Sequence, residues 1–115
     1  MPDPSQLLLA RVHGVAARSA ELRAAAQELA AASAAQDGCL GFDVLTVSGD
    51  ASELVLMSAW GSDRALRAHF NSDPYGRYVS AVTDLLTRPS DVTIHNVSGT
   101  VHPLADLSRE PQRAS

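Results

Sequence analysis

The chain has 115 residues, enough for one domain with a real core but not for two. Apolar residues make up 45% and aromatic residues 4%, so Leu, Val and Ala must build most of the core around five rings, Phe42, Trp60, Phe70, Tyr75 and Tyr78. Nine Arg, no Lys and thirteen acids leave a formal charge of -4, which argues against a nucleic-acid footprint, and the lone Cys39 excludes an intrachain disulfide framework and fits a reducing compartment.

The start, Met1-Pro2-Asp3-Pro4, lacks the basic and apolar regions of a signal peptide, and no apolar run approaches the ~18 residues of a membrane span. A cytoplasmic protein without membrane contact is the expectation. Residues 1–5 read as an extension. Gln6 to Val15, with Leu7, Leu8, Leu9 and Val12, reads as a first strand. From Ala17 to Gln36 the positions Leu22, Ala25, Ala26, Leu29 and Ala32 fall on one helical stripe, stopped by Asp37-Gly38. Cys39 to Ser48 alternates as a second strand with Leu40, Phe42 and Val44 in one phase. Turn chemistry over Ser48 to Ser52 then precedes a third strand, Glu53 to Trp60.

Ser62 offers an N-cap for a short helix carrying Leu66, His69 and Phe70. Asn71-Ser72 interrupts it, and Asp73-Pro74 restarts a helix as capping acid and first-turn proline. Its apolar stripe is Tyr75, Tyr78, Val79, Val82, Leu85 and Leu86, and Arg88-Pro89 ends it. A last strand covers Asp91 to Val101. The domain thus spans 6–102, and 103–115 is a polar tail, frayed from Asp106 onward.

Strand, helix, strand, strand, helix, strand is the split βαβ order of a ferredoxin-like α+β domain with an antiparallel sheet. Both helical regions pack on one sheet face, so the other should be polar if it meets water. It is not: Leu7 and Leu9, Leu45 and Val47, and Val55, Met57 and Ala59 occupy the second phase of their strands. Burying such a face gains ~25 cal/mol per Å², so a homodimer packed sheet on sheet, a dimeric α/β barrel, is expected. Arg11 and His13 share the phase that faces the partner copy, and Asp43 lies on that face too. Four histidines, His13, His69, His95 and His102, show no pair at zinc-site spacing, so no metal is expected.

The stretch Asp37-Gly38-Cys39-Leu40-Gly41-Phe42-Asp43-Val44, the strand end at Trp60, the His69 nine residues later and Ser72 to Tyr78 together resemble the antibiotic biosynthesis monooxygenase family over residues 6 to 100. The resemblance implies a sheet-paired dimer. It also implies one of several activities: cofactor-independent oxidation of anthrones or quinols, haem degradation, or isomerisation of small phosphorylated sugars. Trp60 matches the strand-end Trp of the anthrone-oxidising members, but their Asn, Tyr and Arg are replaced by Leu56, Leu66 and Ser80. The Asn, Trp and His of the haem-degrading members align with Ala10, His69 and Val79, so the axial ligand is missing. Quinol-oxidising and isomerising members carry a Glu and a Pro-His pair where this chain has Ser58 and Asp73-Pro74, yet the helical histidine is retained as His69.

The leading expectation is a cofactor-free monooxygenase that oxidises an aromatic phenol, anthrone or quinol with O₂ between sheet and helices. His69, with an ordinary pKa near 6.5, is the candidate proton acceptor, its alternative role being a half-buried helix histidine bonded to a backbone carbonyl. Trp60 is the candidate catalytic wall and indole N–H donor. Tyr75 and Tyr78, three apart on one helix face, join Phe42, Leu56 and Ser58 as candidate substrate-binding residues, with Ala10 and Ala59 leaving room. Arg77 reads as a solvated charge or dimer ion pair, and Cys39 as a small buried hydrophobe. A non-oxidative accessory module, for example one assisting polyketide cyclisation, and a small-metabolite isomerase are the alternatives.

Overall fold

The computed structural model describes residues 5–104; the expected frayed tail from Asp106 onward lies outside the described residues. Seven elements follow in chain order: β1 (Ser5–His13), α1 (Ser19–Ala34), β2 (Cys39–Val47), β3 (Asp50–Trp60), α2 (Asp63–Phe70), α3 (Asp73–Val82) and β4 (Asp91–Val97). The sheet order is β2-β3-β1-β4 with every pair antiparallel, the ferredoxin-like arrangement.

Residues alternate across this sheet with period two. Leu8, Ala10 and Val12 of β1 lie opposite Ser58, Leu56 and Leu54 of β3, and β2 adds Phe42 and Val44. On them α1 sets Leu22, Ala26 and Leu29, and the end of α3 adds Val82 and then Leu85. A second cluster, Leu8, Trp60 and Leu66, closes the opposite end beneath α2. Each fully buried Leu contributes roughly 1.5–3 kcal/mol.

Several element ends differ from the sequence reading. β1 stops at His13 because Gly14 and Val15 turn away, their N–H groups donating to the carbonyls of Ser52 and Leu85 at 2.8 Å each. Gly14 must be small there: a Cβ would run into the Leu22 side chain and stand 2.9 Å from the Ser52 carbonyl oxygen. A 3-10 turn at Ala16–Arg18 leads into α1, whose stripe continues to buried Ser33, while Ala32 is only half-buried. β3 starts at Asp50 and not at Glu53, because the Asp50 carboxylate accepts the Ser52 N–H at 3.0 Å and the hairpin turn shrinks to Ser48-Gly49. Leu40 is 63% exposed, since the register shift between Cys39 and Gly41 bulges it out of phase.

Ser62 caps α2 as expected, its Oγ accepting the Ala65 N–H. For α3 the cap is Ser72, one residue before the expected Asp73, so the proline stands at the second helical position. That helix gives way to a 3-10 turn at Thr83–Leu85, and Val79 is exposed on its flank. β4 ends at Val97, short of Val101. The turn after α1 is tied to the loop before α2: Gly38, at φ 81°, accepts the Gly61 N–H at 2.7 Å, and a Cβ on it would collide with that of Ala65.

The second sheet face carries Leu7, Leu9, Leu45, Val55 and Met57, none of them buried within the chain, together with Asp43. Ala59 belongs to this face, not to the pocket side where it was expected to leave room. His13 is on this face as well, but its own chain encloses it.

Candidate functional site

α2 crosses the end of the sheet at Trp60 and lowers His69 into the space between β2, β3 and the start of α3. The ring is 1% exposed and surrounded by four others: Trp60 at 4.5 Å between centroids, Tyr75 at 5.2 Å, Phe70 at 5.6 Å and Phe42 at 6.0 Å. Burial among rings disfavours the charged form, so the imidazole pKa is pushed down to about 4, not the ordinary 6.5 expected from sequence. The expected bond to a backbone carbonyl is replaced by a side chain: His69 Nδ1 lies 3.2 Å from Gln36 Oε1.

Beside this ring is a cavity of about 60 Å³ lined by Leu8, Ala10, Val12, Phe42, Leu56 and Ser58 from the sheet. Leu29 closes it from α1, His69, Phe70, Tyr75 and Tyr78 from α2 and α3, and Ser90 and Val92 from the rim of β4. No lining side chain is an acid, a lysine or an arginine. Burial raises the Tyr75 hydroxyl pKa and pushes that of Tyr78 up to about 12, so both remain protonated donors.

Six of the seven residues singled out in the sequence therefore line one cavity: His69, Tyr75, Tyr78, Phe42, Leu56 and Ser58. Trp60 does not. It is fully buried behind His69, and its indole N–H donates to Ser58 Oγ at 2.9 Å. Because Ser58 Oγ accepts that bond, its own O–H is left to donate. Ser58 and Trp60 share a sheet face two residues apart, a spacing visible in the sequence. Gln36 was not singled out, and its partner lies 33 positions away. Arg77 borders a separate cleft of about 30 Å³ between α1 and α3, with Glu28 and Pro74.

A second histidine has a different environment. His13 Nδ1 lies 2.9 Å from Glu53 and its Nε2 2.9 Å from Asp91, with Arg88 Nη2 3.3 Å from Nδ1. The bonds to Asp91 and Glu53 raise its pKa, and the bond to His13 lowers that of Asp91. Its expected place against a partner copy is thus taken by its own chain's carboxylates. His95 Nε2 lies 3.0 Å from Thr93 Oγ1. Among the described residues no group of three His, Cys, Asp or Glu is placed to hold a metal ion, and no helix is long and apolar enough to cross a membrane.

The family model described as antibiotic biosynthesis monooxygenase matches residues 7–81. A Mycobacterium tuberculosis protein named "Putative monooxygenase Rv0793" is 44% identical over 78 residues, 68% of this chain and 75% of that protein. The solved structure of Rv0793 superposes with a TM-score of 0.79 at 30% identity, covering 85% of this chain and 99% of that one. PA3566 from Pseudomonas aeruginosa gives a TM-score of 0.75 at 23% identity, covering 88% and 99%, a likeness of fold.

Proposed function

Because the chain belongs to the antibiotic biosynthesis monooxygenase family, we propose that it oxidises a small uncharged phenol or quinol to a quinone, with O₂ as the only co-reactant. The observation that carries this reading is the ring-lined cavity, free of acids, lysine and arginine, that holds one neutral imidazole. Such a lining suits an apolar ring with one ionisable hydroxyl and offers nothing to a phosphorylated sugar. Its volume of about 60 Å³ also selects size. A cavity of ~150 Å³ holds one benzene ring, so even a single ring needs the walls to move apart, and a three-ring anthrone needs far more.

His69 accepts the hydroxyl proton. A base with a free pKa of about 4 is weak, so it favours an acidic substrate hydroxyl. The imidazolium and phenolate that form are an ion pair in a dry site, and their attraction offsets the desolvation that weakens the free ring. Ser58 donates its O–H to the phenolate oxygen, and the Tyr75 and Tyr78 hydroxyls supply further donors. The electron-rich ring carbon then reduces O₂ and bonds to one of its atoms. His69 returns its proton to give a hydroperoxide, the ring C–H proton leaves, the O–O bond breaks, and water departs. A phenol thus loses two hydrogens and gains one oxygen to become the quinone, and a quinol taking the same route becomes a hydroxyquinone, either supplying all four electrons that O₂ takes up.

A second copy covering the face of Leu7, Leu9, Leu45, Val55 and Met57 completes the assembly, since a contiguous apolar face favours association. The decisive experiment measures O₂ uptake and quinone absorbance with a panel of single-ring quinols, phenols and anthrone. One O₂ consumed per quinone, fastest with single rings, is the expected result. Saturable binding with uptake no faster than without protein would replace this reading by the non-oxidative accessory role, which the substitution of Leu56, Leu66 and Ser80 for polar family residues favours.

A further inference from the structure

The geometry points to Gln36 as the positioning residue that decides which nitrogen of His69 is free to take a proton, an inference that rests on the proposed role of His69 as the base. Its backbone is fixed on both sides. The Gln36 N–H donates to the Ser33 carbonyl at 2.9 Å where α1 runs out, and its own carbonyl accepts the Cys39 N–H at 3.1 Å where β2 begins. Two residues on, the Gly38 carbonyl takes the Gly61 N–H at 2.7 Å. The turn that carries Gln36 is thereby tied to the loop that opens α2, the helix of His69.

From this fixed base the side-chain Oε1 reaches Nδ1 at 3.2 Å, the one side-chain hydrogen bond of the imidazole among the described residues. With the amide oxygen placed towards the ring, Gln36 only accepts, and this geometry assigns the proton to Nδ1. In a neutral imidazole the other nitrogen then keeps its lone pair. Nε2 is thus left to meet a hydroxyl in the cavity that the ring lines. The other rings against it, Phe42, Trp60, Phe70 and Tyr75, make no hydrogen bond to the imidazole among the described residues.

The partner's chemistry also matters. His13 meets carboxylates at both nitrogens, which raise its proton affinity and favour a proton on each. His69 meets a neutral amide, which fixes the tautomer without the strong rise in proton affinity that a carboxylate brings. Two histidines in one small domain are thus set for opposite tasks by the groups on their Nδ1 atoms.

The test uses the full chain labelled with ¹⁵N in its histidine rings, compared as wild type, Gln36→Leu and Gln36→Glu. The wild-type His69 spectrum is expected to show the proton on Nδ1. In Gln36→Leu the proton should move wholly or partly to Nε2. Gln36→Glu should keep it on Nδ1 and raise the titration midpoint of the ring. With a turned-over quinol, Gln36→Leu should lower kcat about five- to tenfold with KM little changed, and Gln36→Glu should recover most of it; the loss is smaller than the ~10⁴-fold seen where a buried carboxylate is the orienting group. A wild-type proton on Nε2, or a Gln36→Leu ring with unchanged spectrum and midpoint, overturns the inference. If Gln36→Leu does not fold, a Gln36→Glu midpoint that fails to rise overturns it equally. Expected spectra in a protein that oxidises no aromatic would uphold the positioning role while rejecting the proposed reaction.

Discussion

The Trp60 indole lies 4.5 Å from the His69 imidazole between ring centroids, tilted 31°, and spends its N–H on Ser58 Oγ. One side chain therefore supports both the candidate base and the candidate donor without reaching the cavity. Trp60→Phe keeps a ring behind His69 but leaves Ser58 Oγ without its buried donor. We expect a stability loss of about 1–3 kcal/mol, read as a lower urea midpoint with unchanged slope.

The low pKa of His69, about 4, sets the acid limit of activity. kcat/KM should stay level as pH falls through 6.5 and decline only near ~4, where the free ring takes a proton. The same shift bears on stability. The unfolded ring binds a proton near the ordinary 6.5 and the folded ring only near 4, so folding is progressively penalised as pH drops through that window. His69→Phe should flatten this part of the stability curve and cost ~10²- to 10⁴-fold in rate. A wild-type rate midpoint near 6.5 would contradict the burial argument.

His13 works in the opposite sense. Its folded pKa is raised by Asp91 and Glu53, so its stabilising effect is fully present below the unfolded value and disappears as pH climbs through the folded one. The gap in thermal midpoint between wild type and His13→Gln should be widest on the acid side of 6.5 and narrow on the alkaline side. A gap independent of pH would mean that His13 acts through packing alone.

On the second sheet face, Leu9 stands opposite Met57 in the β1–β3 register. Leu9→Arg places a charge in the middle of the face proposed to bind a second copy. Sedimentation should find the wild type as a dimer and the variant as a folded monomer. A monomeric wild type would leave the face free and remove the assembly from the proposal.

Much of this was legible in the sequence because it depends on local rules. The stripe of Leu22, Ala26 and Leu29 and the Ser62 cap are short-range signals, and the element order followed from them. Polar residues misled where they bond within an element: Asp50 and Ser52 read as loop chemistry, yet their mutual bonds lie inside β3. Leu40 misled because a bulge breaks the alternation that period-two reasoning assumes. In the site, the cavity wall was readable as an aromatic cluster with His69, whereas the tasks of Trp60 and Gln36 depend on how the chain brings α1, β3 and α2 together. Alternation alone would have shown that Trp60 and Ser58 are neighbours on one face. No local pattern marks a glutamine whose partner arrives with another helix.

The contact between Gly38 and Ala65 has a consequence for how such a sequence can drift. Because a Cβ at position 38 would overlap the one already at 65, and the φ of 81° disfavours a side chain at 38 whatever the space, shrinking Ala65 would not make room there and position 38 is held to glycine. That pair sits at the joint between the turn bearing Gln36 and the helix bearing His69. Variation among descendants should therefore be free on the exposed side of α1 but restricted at this joint, with position 38 among the slowest to change.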